Sequence, residues 1–110
     1  MRRMPGFVTR RYTVVDSQSP DYMQVIRDNV SALVGAHAAR QELRDFIDAH
    51  EMHGVVLTAL IQSMSVYERE IRSLWRKLHN EIPDIAQCFT ANETVDILRL
   101  LHKVSLDIAV

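Results

Sequence analysis

The chain has 110 residues, 47% of them hydrophobic and 25% charged, with a formal net charge of −1 at pH 7. Such values fit one ordinary globular domain, exclude whole-chain disorder, and lack the bulk basic charge of a dedicated nucleic-acid binder. Cys88 is the only cysteine, so no internal disulfide forms and a reducing compartment, the cytoplasm or the nucleus, is expected.

The N-terminal segment is locally basic. Arg2, Arg3, Arg10 and Arg11 stand against Asp16 alone in the first twenty residues. No apolar run follows the first arginines, so no export signal is expected, and no stretch approaches the roughly 18 apolar residues that cross a bilayer. Residues 7–15 alternate, with Val8, Tyr12 and Val14 on one side and Phe7 and Val15 on the other. This pattern predicts a lone β-strand or extended arm. A lone strand leaves its backbone groups unpaired unless another chain supplies the partner. Residues 1–19 are therefore read as an extended arm and 20–110 as a helical domain.

Ser19, Pro20 and Asp21 mark a helix start: a cap, a residue suited to the first turn, and a negative charge at the positive end of the dipole. Tyr22, Val25, Ile26, Val30, Leu33 and Val34 follow at helical spacing, and Ala36, Ala39, Leu43, Phe46 and Ile47 resume the stripe to about His53. Gly35 either ends one helix or sits inside a continuous one. Gly54 suits a helix C′ position. Leu57, Leu60, Met64, Tyr67, Ile71, Leu74 and Leu78 then alternate by threes and fours, which predicts one long central helix over about 54–79. Val56, Ile61 and Trp75 widen the stripe, as in the spine of a bundle. Leu60, Met64, Ile71 and Leu74 are expected in the core.

Pro83 breaks the pattern and opens a short turn containing Ile85, Ala86, Cys88 and Phe89. Thr90 and Glu93 form a capping box. Val95, Leu98, Leu101, Val104, Leu106 and Ile108 build a last helix that is apolar nearly all round and so calls for neighbours. The fold class expected is all-α: a small helical bundle, dimeric, with Trp75, Val95, Leu98, Leu101, Val104 and Ile108 at the interface and Phe7, Val8, Tyr12 and Val14 pairing across it.

Motifs that carry chemistry are not evident. His50 and His53 are three apart, whereas the zinc-protease helix needs its histidines four apart, so they read as a solvated helix end. Cys88 beside His79 or His102 is weaker than its reading as a small buried hydrophobe. No catalytic residue, metal or cofactor is expected, and the chain reads as a non-enzyme. Arg69, Arg72 and Arg76 form a ridge on one helix face, with Glu68 placed to pair along the helix with Arg72. That ridge, with Arg10 and Arg11, is the candidate surface for an acidic partner or for phosphates.

The function expected is a protein-interaction module, an adaptor, inhibitor or viral or phage accessory-type regulator that occupies another protein's surface. Two readings compete with it. One is a nucleic-acid-binding helical dimer using the arginine ridge, and the other is a structural or assembly subunit. The partners expected are a second copy and another protein, not a membrane.

Overall fold

A computed structural model describes residues 20–109, which form α1 (Pro20–Ala49), α2 (Gly54–Leu78), α3 (Ile82–Cys88) and α4 (Ala91–Ala109). The described residues contain no strand, so the all-α class holds for them. The Ser19 cap, the 1–19 arm with Arg10 and Arg11, and the strand over 7–15 lie outside the described residues.

α1 begins on Pro20 with Asp21 in its first turn. It passes unbroken through Gly35, which is exposed, and a Cβ added there would meet nothing within 4 Å. Gly35 thus neither ends the helix nor admits a close neighbour. α1 stops at Ala49, earlier than the stripe suggested. Gly54 does not close it; that glycine is the first residue of α2, with a φ of +62°, a left-handed conformation that carries no Cβ penalty. α2 matches its expected span.

Pro83 lies in the first turn of α3, where its missing N–H leaves no bond unmade. Both halves of the capping box form at the start of α4: the Thr90 N–H donates to Glu93 Oε1 at 2.9 Å, and the Glu93 N–H donates to Thr90 Oγ1 at 3.2 Å.

The core is concentrated at one end of an elongated molecule of 51 × 31 × 22 Å. Ile26, Val30, Leu33 and Ala36 of α1 meet Ile71, Leu74 and Leu78 of α2, Ile85 of α3, and Ile97, Leu101 and Val104 of α4. Leu33, Leu78 and Ile85 are 0% exposed. This is the body. Beyond Ala36 on α1 and before Ile71 on α2, no described residue is fully buried. There the two helices run on together as a hairpin arm. Leu60 and Met64, expected in the core, lie on this arm and are half-buried. Their seam is real, but α3 and α4 are too short to reach it.

Side-chain bonds pin the body together. The Tyr22 hydroxyl of α1 bonds to the carboxylates of Glu81 and Asp84 at the start of α3, the latter at 2.9 Å. Burial first, and then these two carboxylates, push the Tyr22 hydroxyl far above its ordinary pKa. The Trp75 indole N–H donates to the Leu101 carbonyl at 3.0 Å and ties α2 to α4.

Candidate functional site

α4 leans on α2 at the point where the body gives way to the arm. A cleft of about 510 Å³ opens there between three helices. α1 supplies His37 and Arg40, α2 supplies Glu68, Ile71, Arg72 and Arg76, and α4 supplies Val104, Asp107 and Ile108. Helical spacing explains the set. Glu68, Arg72 and Arg76 are four apart and share one side of α2, and Val104 and Ile108 share one side of α4. Ile71, Val104 and Ile108 give the cleft an apolar floor; the charged groups form its rim.

The electrostatics are uneven. Arg40 Nε lies 3.0 Å from Glu68 Oε2, which locks α1 to α2. Glu68 therefore pairs across the helix interface and not along its own helix with Arg72, as the sequence suggested. Arg72 and Arg76 are exposed and make no ion pair among the described residues. His37 is half-buried. Burial, reinforced by the charges of Lys103 and Arg40 and opposed by Asp107, holds its imidazole below the ordinary histidine range.

The arginine ridge divides. Arg72 and Arg76 line the cleft, whereas Arg69 does not. Trp75 is half-buried, hydrogen-bonded to α4 and stacked on His79 with centroids 4.1 Å apart. Leu101 and Val104, expected at an interface, are inside the chain's own core. They are buried within one chain because they lie on one line of α4, with Thr94, Ile97 and Ile108, that faces the shared core. That line of threes and fours is the signal in the sequence that marks the inner face of α4. Val95 is exposed, while Leu98 and Ile108 are partly buried against the core.

The remaining candidates are dispersed. His50 is exposed, stacked on Phe46 with centroids 4.3 Å apart, and His53 is exposed at the start of α2. Cys88 Sγ lies 3.4 Å from Met23 Sδ and 3.8 Å from the Met23 carbonyl, in a packing contact. Among the described residues no group of three His, Cys, Asp or Glu side chains is placed to hold a metal, and no helix is long and apolar enough to cross a membrane. No protein family, no curated protein and no solved structure matches the chain.

Proposed function

We propose that this chain is a non-enzymatic protein-interaction module whose cleft between α1, α2 and α4 receives an acidic, amphipathic segment of another protein. The observation that carries this reading is the apolar floor beneath two arginines without an ion-pair partner among the described residues. A partner residue with an apolar side chain fills the floor while neighbouring carboxylates meet Arg72 and Arg76, whose planar guanidinium groups take carboxylates two bonds at a time. The same chemistry favours protein over duplex nucleic acid. A phosphate backbone offers nothing to the apolar floor, whereas an amphipathic peptide segment fills it.

A fluorescent peptide of alternating glutamate and leucine pairs tests the reading, with its lysine counterpart and a DNA duplex as comparisons. The acidic peptide binds, the lysine peptide does not, and Arg72→Glu with Arg76→Glu weakens binding by about tenfold or more. Tighter binding to the duplex than to the peptide, lost in the same variant, would move the cleft to the nucleic-acid reading. No binding to either defeats the site.

A further inference from the structure

The distal half of α2 has a composition unlike that of the rest of the chain. Residues 52–67 contain no Asp, Glu, Lys or Arg. The segment is neutral on every side, yet only one side packs on α1. Val55 is 85% exposed, Val56 57%, Val66 53% and Ile61 46%. A helix without charge on any side is ordinarily well covered, and among the described residues α1 alone covers this half, on one side. Two of its hydroxyls are also spent inwards: Thr58 Oγ1 donates to the Gly54 carbonyl at 3.1 Å and Ser65 Oγ to the Ile61 carbonyl at 3.0 Å. Covering these residues therefore strands few polar groups, and the desolvation that opposes burial is small.

The side turned away from α1 carries Val55, Ala59, Gln62 and Val66, all exposed and spaced four, three and four apart. The stripe is bounded by charges of opposite sign. The arm's tip holds Asp45, Asp48 and Glu51 against Arg44, and the stripe runs at its other end into Arg69, with Glu70 on the opposite flank, neither of which lines the cleft. Further along α2 lie Arg72, Arg76 and Lys77.

We infer that this stripe pairs with the same stripe of a second copy of the chain, antiparallel about a two-fold axis between Leu60 and Ile61. The pattern fits its own reverse: Val55 falls opposite Val66, and Ala59 falls opposite Gln62. Ala59 is small enough for the helices to approach and for the glutamine amide to lie across it. Charge selects the direction. An antiparallel pair brings the acidic tip of each copy to Arg69 of the other, whereas a parallel pair sets tip against tip and arginine against arginine. An isologous contact of this kind closes on itself and leaves no free stripe. The contact covers only about 20 Å of helix at 1.5 Å per residue, at the small end of stable interfaces, so association is concentration-dependent. The cleft stays open in such a dimer, and the two proposals stand or fall separately.

Sedimentation velocity of the full chain across about 1 to 200 micromolar tests the pairing by mass action. The wild-type chain passes from monomer to dimer. Val55→Lys and Val66→Glu each replace a solvent-exposed side chain, so helix content by circular dichroism is unchanged, and each weakens the dimer by about tenfold or more. The double variant carrying both restores it, because the introduced lysine of each copy then faces the introduced glutamate of the other, twice over. Three results overturn the inference: a chain that stays monomeric throughout, single variants that dimerise like wild type, or a double variant no better than the singles. The last would be the signature of parallel pairing. A monomer that co-sediments with phosphatidylcholine vesicles, losing them on Val55→Lys, would give the stripe to a bilayer surface and not to a second copy.

Discussion

Leu78 and Leu60 belong to the same seam of α2, but they should differ sharply in what their removal costs. Leu78 is 0% exposed, at the point where α1, α2 and α3 converge, and Leu60 is half-buried on the arm. Leu78→Ala takes three carbon atoms out of a closed core. At about 0.8 kcal/mol per methylene the transfer term is roughly 2.4 kcal/mol. A residual cavity of about 50 Å³ adds roughly 1 kcal/mol at about 24 cal/mol per Å³, giving a loss of about 3–4 kcal/mol in all. Leu60→Ala removes the same atoms from a site that already touches solvent and can close over. No cavity remains, and about half the transfer term, roughly 1 kcal/mol, is lost. Urea denaturation at about 1 micromolar, where mass action keeps the chain monomeric, reads both values at unchanged m. Equal losses, or a larger loss for Leu60→Ala, would refute the division into a packed body and a thinly packed arm.

Other perturbations probe single features. Gly35→Ala should stabilise the chain by about 0.5–1 kcal/mol, since α1 is regular there and the new methyl meets nothing; a loss of stability on urea titration would mean an unseen close approach. Thr94→Val should be neutral or stabilising by up to about 1 kcal/mol, because the buried Thr94 hydroxyl has no hydrogen-bond partner among the described residues; a loss above that size would show that the hydroxyl is bonded. Tyr22 keeps its proton in the fold far beyond the ordinary value of 10.0. Its contribution is therefore complete below about pH 10 and fades as pH rises further, and a Tyr22→Phe chain should lose that alkaline decline. His37 has the opposite sense: its lowered pKa means the unfolded chain binds the proton first, so stability falls as pH drops below about 6.5. His37→Gln should flatten stability between about pH 7 and 5, and an unchanged slope would place the titrating group elsewhere.

Much of the fold was legible because the local signals agreed with the tertiary answer. Thr90 and Glu93 announced α4 and form both bonds of the box. Pro83 announced α3, and the seam announced α2. The Gly35 question could not be settled from the sequence, since a glycine in mid-helix is tolerated whether or not a neighbour approaches. Core membership was harder. Leu60 and Ile71 look alike on the seam, and only the lengths of α3 and α4 decide that Ile71 is covered and Leu60 is not. The buried line of α4 was missed because Ile97 stands between Val95 and Leu98, and a helix with apolar residues nearly all round does not display its inner face. The cleft was half visible. The Arg72 and Arg76 spacing is local, but Arg40, His37 and Asp107 come from distant turns that meet only in three dimensions, and so does the Arg40 partner that takes Glu68 from Arg72.

α2 ties these observations together, because its two halves obey different rules. From Glu68 onward every exposed residue of α2 but Ser73 is charged, and that half builds the body and the cleft. Before Glu68 it has no charge, and it leaves exposed the kind of side chains that the second half buries. A monomer gains nothing from such a surface: apolar exposure costs solubility, and the arm adds little core in return. The seam alone would explain Leu57, Leu60 and Met64, since α1 needs them. It does not explain Val55 and Val66, which lie on the side of α2 turned away from α1 and are 85% and 53% exposed among the described residues. The pairing inferred above would cover the arm's outer side and give these two valines a role. The opposite charges at the two ends of that side favour a cover that carries the same pattern in reverse.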